Sequence, residues 1–72
     1  MTIGERIRER RTKLGLTQLE LAIRADLTNA MVCGWEMAGE HGPRPGTTSL
    51  TKLADALGVT TDWLLGRNEN RG

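Results

Sequence analysis

Apolar side chains recur along the chain in short bursts at helical spacing, each closed by a glycine or a brief polar joint. Ile3, Ile7 and Leu14 share one face of a first segment whose other positions are mostly Arg and Glu, and Gly15 marks its end. Leu21, Ala22 and Ala25 form the apolar face of a second segment; Leu27, Val32 and Trp35 form that of a third. Leu50, Leu53, Ala54 and Leu57 give a fourth, ended by Gly58, and the run DWLL gives a fifth before Gly66. The starts are marked too. Thr2 with Glu5, and Thr17 with Glu20, have capping-box spacing, in which hydroxyl and carboxylate take backbone donors that the first helical turn leaves free. Thr28 and Thr60 are further caps, with Leu27 and Val59 at hydrophobic-staple spacing to Val32 and Leu64. Thr47 or Thr48 opens the fourth helix, after the loop GEHGPRPG at 39–46. Five helices leave no room for a sheet. The pattern predicts an all-α, compact five-helix domain over residues 1–66, with 67–72 as a flexible polar tail.

The joint between the second and third helices carries the most information. Only Asp26 and Leu27 separate Ala25 from Thr28, too little for an easy antiparallel return, so the two helices cross steeply as in a helix-turn-helix. One hinge residue must then turn left-handed, and Asp is among the few residues besides Gly that tolerate it.

Composition narrows the function. A chain of 72 residues accommodates one domain, and 38% apolar with 26% charged residues is globular rather than disordered. A single cysteine, Cys33, rules out an internal disulfide and fits a reducing compartment, hence a cytoplasmic protein. No apolar run approaches the roughly 18 residues of a membrane span. Cys33 and His41 stand eight positions apart with no third group to orient them, so neither nucleophilic catalysis nor a closed metal site is expected. The expectation is a binding domain with no enzymatic activity, cofactor or metal. Its formal charge is only +1, yet residues 1–24 carry +3 and residues 25–72 carry −2. The basic third would either steer a phosphate backbone or form a solvated helix face paired as Glu5 with Arg8 and Glu9 with Lys13.

The segments IGERIRERR (3–11), GLTQLELA (15–22), LTNAMVCGWE (27–36) and LTKLADALGVTTDWLLG (50–66), in this order, resemble the lambdoid-repressor, Cro/CI-type (XRE-like) helix-turn-helix domain. The resemblance implies that the third helix enters the DNA major groove. Asn29, Ala30, Cys33 and Gly34 then fall at base-contacting positions, and Thr17, Gln18, Met31 and Arg44 at backbone-contacting ones. Arg11 and Glu36 would form a structural ion pair between the first and third helices; the alternative is two surface charges. Asn29 suits adenine, which it meets bidentately, and the Ala30 methyl suits thymine. There is no Lys or Arg from Asn29 to Trp35, which removes the common Arg–guanine contact, and Gly34 offers no side chain at all. Trp35 and Trp63 read as core.

The implied function is sequence-specific double-stranded DNA binding by a small transcriptional regulator, a repressor acting as a homodimer on an inverted repeat. Val59 and Leu65, at the last turn and helix, are the candidate dimer contacts. Leu19 and Ile23 occupy usually polar positions of the second helix. They either pack locally on the long loop or Met37, or form an apolar patch for a protein partner. The patch supports an alternative: an antitoxin-like or antirepressor-like protein-interaction module.

Overall fold

The computed structural model describes residues 1–67, and the sequence-predicted tail lies outside them but for Arg67. Five helices follow in order: α1 (Ile3–Lys13), α2 (Gln18–Arg24), α3 (Asn29–Met37), α4 (Thr47–Leu57) and α5 (Thr61–Leu65), with no strand among the described residues. The core is one cluster of Ile7, Leu21, Ala22, Ala25, Val32, Trp35, Leu53, Ala54, Leu57 and Leu64, to which every helix contributes.

Three of the four connections repeat one three-residue device. Gly15-Leu16-Thr17, Asp26-Leu27-Thr28 and Gly58-Val59-Thr60 each begin with a left-handed residue, at φ 74°, 59° and 69°. In each, the following apolar residue donates its N–H to the carbonyl five positions back: Leu16 to Arg11 at 3.0 Å, Leu27 to Ala22 at 2.8 Å, Val59 to Ala54 at 3.0 Å. This is the Schellman closure, which satisfies carbonyls that a helix end leaves free. The same apolar residue then packs on the core, and the Thr after it caps the next helix. Each joint thus ends one helix, anchors the chain and starts the next. Asp26 is the one non-glycine with positive φ among the described residues, as the short second joint demands.

α3 ends differently. Ala38 is extended, and the chain runs through 39–46 before α4 starts at Thr47, with Gly46 at its N-cap and no side-chain cap. α5 begins at Thr61, one residue before the DWLL run.

Two expectations need correction. Leu14 does not complete the α1 face: it lies at the C-cap, past the last helical turn, and is 40% exposed. The helical pairs Glu5–Arg8 and Glu9–Lys13 do not form. The ion pairs among the described residues are Arg11–Glu36 and Lys52–Asp26, and Glu5 instead takes the Thr2 N–H at 2.7 Å. That bond holds the Glu5 carboxyl below its ordinary value.

Candidate nucleic-acid interface

The helix-turn-helix is held to α1 by one buried carboxylate. Glu36, near the end of α3, has its side chain 3% exposed. Arg11 of α1 grips it with a planar fork, Nε donating to Oε2 at 2.7 Å and Nη2 to Oε1 at 2.8 Å. The third guanidinium arm, Nη1, donates to the Leu16 carbonyl at 2.8 Å, immediately before the α2 cap. Gln18, the first residue of α2, donates from Nε2 to the same Glu36 Oε1 at 3.1 Å. One fork therefore ties α1, the entry to α2 and the end of α3 together. Donating to Glu36 also raises the Arg11 pKa further above its already high ordinary value, so this cation does not titrate near neutrality.

The side of α3 opposite Val32 and Trp35 faces outward. Ala30, Gly34 and Met37 follow one another there at i, i+4 and i+7, the spacing of a single helical face. Asn29, Ala30 and Met31 are exposed, Cys33 and Gly34 half-buried. The Cys33 thiol donates to the Met37 thioether at 3.6 Å. This surface carries no charge from Asn29 to Trp35, and its polar handle is the Asn29 amide. Gly34 is not required by packing. Apart from its chain neighbours and the backbone of its own helix, a Cβ built on it meets no described atom within 4 Å, so no packing contact accounts for a glycine that costs about 1 kcal/mol relative to alanine.

The other sequence-predicted residues divide between surfaces. Thr17 is exposed, with its hydroxyl accepting the Glu20 N–H at 3.0 Å and its own N–H going to Glu20 Oε1 at 2.8 Å. Arg44 is exposed and lines a shallow cleft with Met1, Ile3, Leu64 and Leu65, so a proposed backbone contact and a proposed interface residue share one hollow. Val59 is half-buried against the core. Leu19 and Ile23 remain 55% and 70% exposed, so neither the loop nor Met37 covers them.

Several residues that position this surface escaped sequence reasoning. Gly4 is where α1 crosses α3: a Cβ there would overlap the Trp35 carbonyl oxygen and lie 3.1 Å from the Glu36 Cα. A glycine inside the first turn of a helical pattern was the available signal. Arg10 donates from Nε to the Leu57 carbonyl at 2.9 Å, closing the end of α4, and the Arg6 guanidinium lies 5.6 Å from the centre of the Trp63 ring. With Arg11, half of the six basic residues of the first third hold helices together. The basic end is therefore not a ladder of helical ion pairs, and Arg8, Lys13 and Arg24 are its exposed cations.

Comparison with known proteins agrees with this arrangement. A family model described as helix-turn-helix matches residues 7–64. The HTH-type transcriptional regulator ImmR of Bacillus subtilis is 36% identical over 69 residues, which is 96% of this chain; the chain spans about half (52%) of that relative's length. The P22 c2 repressor, solved with a synthetic operator, superposes with a TM-score of 0.80 at 34% identity, covering 93% of this chain and 97% of that one. SinR, a regulator of biofilm formation, matches in its DNA complex (TM-score 0.80, 28% identity, 89% of this chain and 98% of that one). It also matches in its complex with SinI (TM-score 0.82, 25% identity, 99% and 67%). With the α2–α3 crossing, the left-handed hinge and the family match over most of its length, the chain belongs to the Cro/CI-type helix-turn-helix family of DNA-binding transcriptional regulators.

Proposed function

We propose that this chain binds a specific double-stranded DNA sequence in the cytoplasm and represses transcription by occupying it, as a dimer on an inverted repeat. The observation that carries the reading is the outward face of α3: exposed, uncharged, and held rigidly by the Arg11–Glu36–Gln18 network. A helix so presented fits the major groove, where base edges are distinguishable. Asn29 offers a donor and an acceptor for adenine, with Ala30 and Cys33 beside it on the helix. Gln18, whose amide keeps a second N–H beyond the one on Glu36, would meet the phosphates, as would Thr17, Met31 and, from the cleft beside α5, Arg44. Val59 and Leu65 are the proposed contacts between two copies on the DNA. Because the reading helix lacks cations, each copy contributes modest affinity, and pairing of half-sites supplies the rest.

Selection from a random duplex library, followed by gel-shift titration at several salt concentrations, tests this. One enriched inverted repeat is expected, with two copies bound. Failure to enrich any sequence, at low salt too, refutes specific recognition.

The exposed Leu19 and Ile23 favour a second reading, an antitoxin-like or antirepressor-like module that docks a protein through α2. SinR, solved with SinI as well as with DNA, shows that a similar chain meets both kinds of partner. Leu19→Glu with Ile23→Glu would abolish a complex formed this way and leave operator affinity within about two-fold. Unchanged co-purification and unchanged solution mass would remove this reading.

A further inference from the structure

We propose that two copies of this chain associate weakly through α2, laid antiparallel about a twofold axis; this names the partner of the docking face in the second reading above and rests on it. Leu19 and Ile23 stand four positions apart on one flank of the helix and are 55% and 70% exposed. Glu20 and Arg24, each one position further on, repeat that spacing with opposite charges. α2 thus carries an apolar row and a charged row side by side, turned away from the buried Leu21, Ala22 and Ala25. Ile23, Glu20, Arg24 and the half-buried Leu16 line one shallow hollow there. The Glu20 carboxylate is held in place, because Oε1 takes the Thr17 N–H at 2.8 Å. Arg24 is exposed and takes no part in the ion pairs among the described residues, although Glu20 lies one turn before it.

The order of these charges makes the face complementary to a copy of itself. A twofold axis that relates two packed helices reverses their direction and sets each flank against the same flank of the other copy. Leu19 and Ile23 then meet Leu19 and Ile23, and Glu20 of each copy comes opposite Arg24 of the other, twice. A parallel arrangement would oppose like charges. The contact is small: α2 is seven residues long, and so short a helix stays below the roughly 1,200 Å2 of a standard interface, which makes the association transient. It gains weight where copies are already held close together, as on neighbouring DNA sites. It uses none of the residues proposed for base contact, nor Val59 and Leu65.

Sedimentation equilibrium of the full chain, from about 10 μM to about 1 mM, tests this with charge-reversed variants. The wild type should dimerise with a dissociation constant of about 0.1–1 mM. Arg24→Glu alone and Glu20→Arg alone should each weaken self-association about ten-fold, since each opposes like charges twice. Mixed in equal amounts, the two variants should associate within about three-fold of the wild type, because every facing pair is again of opposite sign. Leu19→Glu with Ile23→Glu should stay monomeric throughout. Helical circular dichroism is recorded for each variant, and Glu20→Gln, which keeps a side-chain oxygen for the Thr17 N–H, takes the place of Glu20→Arg if that variant does not fold. A wild type that stays monomeric overturns the proposal, as does association that the charge variants leave unchanged or that mixing fails to restore. A purified chain that is monomeric throughout, yet binds another protein unless Leu19 and Ile23 are replaced, overturns the second copy and keeps the docking reading. Absence of both kinds of association overturns the two together.

Discussion

Replacing Glu36 by Gln should damage the fold far more than it alters which bases are read. Three donors converge on the Glu36 carboxylate: two from Arg11 and one from Gln18. A glutamine keeps one oxygen and turns an NH2 group toward at least one of those donors, so the Arg11 charge stays in place with half its acceptor gone. The side chains are 12% and 3% exposed, so water screens the loss little. Removing one partner of a buried pair costs about 3–5 kcal/mol. The surviving oxygen and the bond to the Leu16 carbonyl put this case at the lower end, about 3 kcal/mol. A domain of this length has about 4–11 kcal/mol to lose, so the variant would be marginal, with its melting point lowered by about 12–24 °C. Thermal and urea unfolding followed by helical circular dichroism would measure it, with the urea slope unchanged. Replacing Arg11 and Glu36 together by Met and Leu should recover most of the loss, because no charge is then left buried. Operator selection at low temperature should return the same bases with uniformly weaker binding, since Gln18 loses its anchor while Asn29 and Ala30 do not. A melting temperature within error of wild type would refute the reasoning: the pair would then be exchanging its bonds for water at no cost.

The remaining expectations concern α1. Gly4→Ala forces a methyl group into the Trp35 carbonyl and the Glu36 backbone, which cannot rotate away, and should cost about 1–3 kcal/mol, read as a lowered urea midpoint. Glu5 is held below its ordinary value of 4.5 first by its bond from the Thr2 N–H. A lowered folded-state value means that the stability it adds is complete at neutral pH, begins to fade as the pH falls to about the ordinary value, and is lost once the pH passes through the lowered one. A pH series of melting curves should therefore fall less steeply for Glu5→Gln than for wild type in this acid window, and parallel curves would exclude the box as a contributor.

The parts of the fold that were legible in the sequence are those settled within five or six residues. The three joints, their Thr caps and the apolar residue between hinge and cap are local hydrogen-bond chemistry, and Asp26 could be read as left-handed because the α2–α3 connection leaves no alternative. The arginines were not legible for the opposite reason. Arg10 meets the Leu57 carbonyl 47 positions away, and nothing near Arg10 in the chain distinguishes it from its exposed neighbour Arg8. Leu14 fits the helical period of α1 but not its length, since Lys13 is the last helical residue. At the interface, Asn29 and Ala30 follow a cap that sequence alone locates. That Gly4 is needed by packing and Gly34 is not depends on which neighbours approach, and only the folded arrangement shows that.

The charge balance takes its meaning from the same division. Arg6, Arg10 and Arg11 are directed at Trp63, the end of α4 and Glu36, so the +3 of the first third overstates what a phosphate backbone would encounter. Arg8, Lys13, Arg24 and Arg44 remain exposed, interspersed with exposed Glu5, Glu9, Glu20 and Glu40. Non-specific attraction to DNA grows with the number of phosphates neutralised, and the exposed carboxylates among these cations would lower it. A domain with little non-specific attraction must draw its discrimination from contacts made only on the right sequence. Under the proposed function, the uncharged outward face of α3, with the Asn29 amide and the Ala30 methyl, would have to supply contacts of that kind. Arg11, bound up in the fold, keeps that face fixed relative to α1 and α2, which is the condition under which a helix face could discriminate among bases.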